Sequence, residues 1–178
     1  LLLWLRMCNL DSFSRNFIFF NDGDLKSDHE KKIGSTGGIY AERCSTFQDI
    51  QNVIIKTMRN GSGGDSPENN IEALLYAEKN FPETAFHIMI ADNWAPIKDT
   101  ALINRLKKPV RVVLCGAKDA YLNTDYINLA RKTNGSLHLI EQDLYNLAIL
   151  REGEIITIGG LKYRVSNGNV IPVYEYHQ

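Results

Sequence analysis

Gly63–Asn70 reads GGDSPENN, and it is followed further along the chain by the apolar run Phe86–Asp92, FHIMIAD. The glycines allow a tight bend, Ser66 is a favoured residue at a helix N-cap, and Pro67 suits the first helical turn. The second stretch is apolar up to its final aspartate, which is typical of a buried strand. Together they predict a turn into a helix, and then a strand with an acid at its carboxyl end.

Four of these side chains carry oxygen atoms that suit a divalent cation. The carboxylates of Asp65, Glu68 and Asp92 are the hard ligands that Mg²⁺ and Ca²⁺ prefer, and the hydroxyl of Ser66 is a weaker candidate. The loop motif alone is more often an ordinary capped helix, because acids in a first turn interact favourably with the helix dipole. The aspartate at the strand end favours the cation site.

Apolar runs of strand length alternate with amphipathic segments of helix length along most of the chain. This alternation predicts an α/β fold with a mostly parallel sheet that helices cover on both faces. Strands are predicted over 16–20, 85–91, 110–115 and 136–140, and helices over 46–58, 67–80, 99–107 and 125–133.

The pattern changes after Gly153. Three short β runs are separated by Gly159-Gly160 and Asn167-Gly168, which are strong hairpin turns. We therefore expect an α/β domain over residues 1–150 and a small antiparallel β appendage over 151–178.

Composition excludes several classes of partner. The 178 residues are 44% hydrophobic, enough for one core, and a net charge of −1 provides no attraction for nucleic acid or an anionic membrane. No apolar run reaches the roughly 20 residues of a membrane span. Cys8, Cys44 and Cys115 are an odd, widely spaced set, typical of buried free thiols in a reducing compartment, so we expect a cytoplasmic protein.

The loop motif and the strand resemble two elements of the von Willebrand factor type A (vWA) family. In members with an acidic second loop, that loop reads Gly-Gly-Asp-x-Pro-Glu at the start of a helix, and Gly63–Glu68 matches it at every position. The family's third loop follows an apolar strand that ends in Asp, often with a nearby proline, and Phe86–Asp92 with Pro96 looks like that element. The resemblance covers residues 1 to about 145.

This resemblance implies a doubly wound, Rossmann-like α/β fold with a metal-ion-dependent adhesion site (MIDAS) at the carboxyl ends of its strands. Asp65, Glu68, Asp92 and Ser66 would then hold Mg²⁺ or another divalent cation, and a carboxylate of a partner protein would fill the open position. That chemistry is recognition, so the resemblance implies a protein-interaction or scaffold module and not an enzyme.

The family's first ligand loop, Asp-x-Ser-x-Ser, has only Asp11–Ser14 (DSFS) as its nearest counterpart here. This string stands immediately before the predicted strand at 16–20 and leaves no room for a crossover helix between them. We therefore expect the first strand and its ligand loop to lie upstream of Leu1.

Trp94 follows the aspartate of the predicted site, with Asn93 and Pro96 beside it. Because an aromatic side chain next to a site often anchors a protein partner, we predict these three as partner-binding residues. The alternative is that the indole of Trp94 packs on Pro96.

A second hypothesis concerns Asn21–Asp24, NDGD, which follows the apolar run 16–20. It resembles the Asp-x-Asp opening of haloacid-dehalogenase-type phosphatases, which implies Asp22 as a nucleophile and Asp24 as a general acid. A solvated Asp/Gly turn explains the same residues. No Ser/His/Asp or Cys/His arrangement can be recognised in the sequence, so the main hypothesis contains no catalytic residue.

Overall fold

A computed structural model describes residues 15–21, 30, 32, 36–60, 68–116 and 121–174. The chain divides into two compact units, 1–83 and 84–178, and each is a mixture of helices and strands. The α/β class predicted from the sequence is confirmed. The predicted boundary near residue 150 lies inside the second unit.

In its described residues, the first unit contains a two-stranded sheet and two helices. Strands β1 (Arg15–Phe20) and β2 (Ile39–Cys44) are antiparallel, and helices α1 (Phe47–Asn60) and α2 (Asn70–Asn80) pack on them. The expectation that residues 16–20 belong to a parallel sheet is therefore wrong in the part of the chain described. The strand's apolar sequence predicted its existence, whereas its direction depends on a partner some twenty residues away.

Helix α1 begins with a reciprocal pair of side-chain bonds. The Asp49 amide donates to Thr46 Oγ1 at 3.2 Å, and Asp49 Oδ2 accepts the amides of Thr46 and Ser45 at 2.8 and 3.0 Å. Such a capping box satisfies amides that lack partners at a helix start. One face of the helix then buries Ile50 and Val53 beside Cys44, and together they form the core of this unit.

The second unit is built on a four-stranded mixed sheet in the order β3-β4-β5-β6. Three strands are parallel, and a short fourth strand runs antiparallel beside the third. They are β3 (His87–Asp92), β4 (Val110–Cys115), β5 (Ser136–His138) and β6 (Asp143–Leu144). A 3₁₀ helix, Thr100–Arg105, connects β3 to β4, and helix α3 (Thr124–Lys132) connects β4 to β5.

Side chains alternate between two faces of this sheet, as the period of a strand requires. The inner face packs against α3 and carries buried apolar residues, among them Val112 and Leu137. We call the opposite side the outer face. It carries Ile88, Ile90, Arg111, Val113, Ser136 and His138.

A three-stranded antiparallel meander completes the second unit after a short 3₁₀ helix, Leu147–Ile149. Its strands are β7 (Ile155–Ile158), β8 (Leu161–Ser166) and β9 (Asn169–Pro172), and the predicted antiparallel meander is thereby confirmed. Asn167 and Gly168 have φ values of 50° and 73°, the backbone that a tight Asn-Gly hairpin turn needs.

Two further sequence expectations concern membranes and thiols. Within the described ranges, no helix has the length and apolar character to cross a membrane. Cys44 is buried as expected, but Cys115 is exposed at the end of β4, so the expectation of a buried thiol is wrong there. Cys8 lies outside the described residues.

Candidate functional site

The loop that follows β3 presents a tryptophan to solvent. Asp92 is the last residue of the strand, and its Oδ1 accepts the backbone N–H of Trp94 at 3.0 Å. This bond is an Asx turn, in which a side chain replaces a backbone acceptor and fixes the bend. The side chain of Trp94 is 86% exposed. Of the two alternatives for the indole, this exposure favours the one in which Trp94 is available to a partner rather than packed on Pro96.

The side chain of Asn93 connects the same loop by hydrogen bonds to the segment that precedes α3. Its Nδ2 donates to the Tyr121 carbonyl at 3.2 Å, and its Oδ1 accepts the Asn123 amide at 2.8 Å. Its own amide donates to the Cys115 carbonyl at 2.9 Å, which continues the β3–β4 ladder by one bond. In the structure the side chain of Asn93 positions the loop, and its role in partner binding stays a prediction.

The other side of the loop is held by buried groups. The Ala95 carbonyl accepts bonds from the Tyr126 hydroxyl at 3.0 Å and from Asn123 Nδ2 at 3.2 Å. Ile97 is buried, and its amide donates to Asp125 Oδ2 at 3.1 Å. Burial raises the pKa of the Asp125 carboxyl, and this bond acts in the opposite direction. The backbone before and after Trp94 is therefore held in place by hydrogen bonds.

The predicted cation ligands fall into different parts of the structure. Asp65 and Ser66 lie outside the described residues. Glu68 belongs to the first unit and is half-buried in an isolated β-bridge, and Asp92 belongs to the second unit. Helix α2 begins at Asn70, with Asn69 as its N-cap, so the predicted helix start at Ser66 and Pro67 is wrong.

A metal site finds no support in the described residues. Among residues 15–21, 30, 32, 36–60, 68–116 and 121–174, no group of three or more His, Cys, Asp or Glu side chains is arranged to hold a metal ion. One oxygen of Asp92 is already bonded to the Trp94 amide. The described residues therefore do not form a donor set for Mg²⁺ by themselves. The phosphatase hypothesis stays a prediction, because Asp22 and Asp24 both lie outside the described residues.

The structure also brings together three polar residues that the sequence did not reveal as a group. Ser136 Oγ lies 2.7 Å from His138 Nε2, and His138 Nδ1 lies 2.8 Å from Asp143 Oδ1. The strand period of β5 places Ser136 and His138 on one face, and this was the one available signal. Asp143 could not be added from the sequence, because it reaches His138 only through the β5–β6 pairing.

No family model, curated protein or solved structure matches this chain. The resemblance to the vWA family thus depends on the residues quoted above, and function has to be argued from the geometry of the second unit.

Proposed function

We propose that the chain is a protein-interaction module that binds a partner protein through the loop after β3, with Trp94 as the anchor residue. The observation that carries the proposal is the 86% exposure of Trp94 on a loop fixed by Asn93 and by the Ala95 carbonyl. Large exposed aromatic side chains are unfavourable in water and are enriched where proteins bind one another.

The energetics support an anchor at this position. Burying a tryptophan removes about 150–250 Å² from water, and at roughly 25 cal/mol per Å² this contributes about 4–6 kcal/mol before the costs of association. Ordering a mobile loop would consume part of that gain. Here the turn at Asp92 and the bonds of Asn93 already hold the backbone, so the residual cost is restricted mainly to the indole rotamer.

Strand β3 itself carries two further exposed apolar residues. Ile88 and Ile90 lie on the outer face of the sheet and are 55% and 40% exposed. They lie on the strand that leads into the loop of Trp94. Exposed apolar side chains in a cluster are typical of interaction sites.

We further propose that the fold is a divergent vWA-like arrangement in which Mg²⁺ assists binding. The support is the Gly63–Glu68 motif, the parallel order of β3, β4 and β5, and the place of Asp92 at the carboxyl end of β3. A cytoplasmic location is supported by Cys44 and Cys115, which form no disulfide.

A peptide-display selection tests the binding proposal without a known partner. A random peptide library is selected on the immobilised chain, and affinities are measured against Trp94→Ala and against Ile149→Ala, a control at an exposed apolar residue elsewhere in the second unit. We expect selected peptides to lose about 30-fold or more in affinity with Trp94→Ala, the effect of a hot-spot residue of about 2 kcal/mol. They should bind Ile149→Ala as they bind the parent. Equal affinity for all three proteins would contradict the proposal.

A further inference from the structure

The Ser136–His138–Asp143 group lies at the edge of the outer face, away from the Trp94 loop in sequence. Ser136 and His138 flank Leu137, which points into the core and is fully buried. His138 is paired with Asp143 across β5 and β6, and the Leu139 amide closes the connecting turn by donating to the Gln142 carbonyl at 2.8 Å. All three side chains are therefore held by ordered backbone.

The connectivity of the bonds is that of a nucleophile, a base and an orienting carboxylate. Ser136 Oγ lies 2.7 Å from Nε2 of the His138 imidazole, and Asp143 Oδ1 lies 2.8 Å from Nδ1. The second carboxylate oxygen, Oδ2, accepts the Tyr145 hydroxyl at 3.1 Å. The Tyr145 ring also packs edge-on against the His138 ring, with centroids 5.4 Å apart. The imidazole is thus fixed both by its hydrogen bonds and by an aromatic contact.

The hydrogen bonds determine where the protons lie in the neutral imidazole. Bonds from His138 and then from Tyr145 lower the pKa of the Asp143 carboxyl, so it is ionised at neutral pH and can only accept. His138 Nδ1 must then carry the hydrogen. Nε2 of the neutral ring has only a lone pair, so the Ser136 hydroxyl donates to it. A serine whose proton faces a base in this way is an activated nucleophile.

We propose that Ser136 is the nucleophile of an acyl-transfer site for small carboxylic esters, with His138 as general base and Asp143 as the residue that positions His138. Ser136 Oγ forms a bond to the ester carbonyl carbon while its proton moves to His138 Nε2. The carbon–oxygen bond to the alcohol then breaks, and the alcohol leaves with the proton from His138. Water hydrolyses the acyl-serine through the same base and restores the hydroxyl.

The surroundings of Ser136 decide the substrate class. Ser136 is only 4% exposed, so a bulky acyl group cannot approach its hydroxyl. On the outer face Ser136 pairs with Arg111 of β4, and Val113 of the same strand pairs with His138. We therefore restrict the proposal to short acyl groups such as acetyl. General-base assistance of this kind accelerates a reaction by about 10²–10⁴-fold.

The test uses the full chain with two reagents, 4-nitrophenyl acetate and a fluorophosphonate. The fluorophosphonate forms an oxygen–phosphorus bond and releases fluoride, so its adduct can be mapped by peptide mass spectrometry. We expect a single adduct on Ser136, and release of nitrophenolate at least about 100-fold faster than with Ser136→Ala. Mapping in the parent chain needs no variant and therefore decides the question even if Ser136→Ala fails to fold.

Further variants separate catalysis from a structural role. His138→Gln and Asp143→Asn should both lose labelling, and Asp143→Asn should lower kcat for 4-nitrophenyl acetate with KM unchanged, because Asp143 does not touch the substrate. Ser166→Ala, a serine on β8 of the same unit, is the matched control and should be labelled like the parent. No adduct on Ser136, or equal nitrophenolate release by the parent and Ser136→Ala, would overturn the proposal. The three residues would then have only the structural role of joining β5 to β6.

Discussion

Asn128 binds the backbone of Val170 with both ends of its side-chain amide. Its Oδ1 accepts the Val170 N–H at 2.7 Å, and its Nδ2 donates to the Val170 carbonyl at 3.1 Å. Both residues are buried, so helix α3 replaces the hydrogen bonds that a neighbouring strand would provide to β9. Arg131 adds bonds to the carbonyls of Gly168 and Leu150 from the next turn of the helix. The meander is therefore attached to α3 by specific polar contacts as well as by apolar packing.

Asn128→Ala should destabilise the second unit strongly. The substitution leaves a buried amide and a buried carbonyl of Val170 without partners, and each such group costs about 1–3 kcal/mol. We expect a loss of about 3 kcal/mol in the free energy of unfolding, measured by urea denaturation. Asn146→Ala, at an exposed asparagine before the 3₁₀ helix Leu147–Ile149, should change it by less than about 0.5 kcal/mol. Similar losses in the two variants would contradict this role of Asn128.

Gly135→Ala should be more disruptive than alanine at glycines in open turns. A Cβ at Gly135 would lie 1.8 Å from the Val110 carbonyl oxygen, so the start of β4 would have to move away from the end of α3. We expect a loss of at least about 3 kcal/mol or an unfolded product. Gly159→Ala is the comparison, because that glycine has φ of 57° but open space around it. Its cost should be restricted to backbone strain of about 1 kcal/mol. Thermal and urea unfolding would rank the two, and the reverse order would contradict the steric argument.

Asp49 should make the stability of the first unit depend on pH. The amides of Thr46 and Ser45 and the Thr46 hydroxyl lower the pKa of the Asp49 carboxyl in the folded state. A depressed pKa means that the stabilisation is present above the ordinary aspartate pKa of about 3.9 and is lost as pH falls through the folded-state value. We therefore expect Asp49→Ala to lower the melting temperature at neutral pH, with a difference from the parent that shrinks in acid. If the difference in melting temperature did not change with pH, the ionised carboxylate of Asp49 would not be the source of the stabilisation.

The two described cysteines should differ in reactivity toward iodoacetamide. Burial raises the pKa of the Cys44 thiol to about 11, with smaller contributions from Asp49 and Glu42, so little thiolate forms at neutral pH. Cys115 is exposed at the end of β4. Peptide mapping of the native chain should find Cys115 alkylated first, and Cys44 only after denaturation. Early alkylation of Cys44 would mean that the first unit opens readily.

Metal binding is tested by calorimetric titration of Mg²⁺, Mn²⁺ and Ca²⁺ into the purified chain. If the vWA-like proposal holds, binding should be saturable and should be lost in both Asp65→Ala and Asp92→Ala. Glu141→Ala is a control at an exposed carboxylate outside the motif. The absence of any heat of binding in the parent would remove the metal from the proposed function. It would not affect the proposal that Trp94 anchors a partner protein, because that proposal needs no cation.

Several features followed directly from short stretches of sequence. The apolar run Val110–Cys115 predicted a strand, and β4 spans these residues, with Val110, Val112 and Leu114 nearly inaccessible. The Asn-Gly turn at residue 168 predicted the β8–β9 hairpin. Ser45 or Thr46 at the predicted start of α1 is the residue at which the capping box forms. In each case the interactions that determine the structure join residues only a few positions apart.

The partners of strands could not be predicted in the same way. The apolar run at 16–20 indicated a strand, but β1 lies antiparallel to β2 and not in the parallel sheet. The start of α2 was also misplaced, because Ser66 and Pro67 favoured an earlier first turn than the Asn70 observed. A cap preference of about 1 kcal/mol is smaller than the packing terms that decide where a helix begins.

By itself the sequence determined the α/β character of the chain, the existence of its main strands and the hairpin turns of its meander. Local hydrogen bonds and hydrophobic periodicity suffice for these features, because each involves neighbouring residues. Only the tertiary structure decided that Trp94 is exposed on a loop held by hydrogen bonds and that His138 lies between Ser136 and Asp143. Exposure and hydrogen-bond partners of this kind depend on how separate strands and loops are brought together, and no short stretch of sequence contains that information.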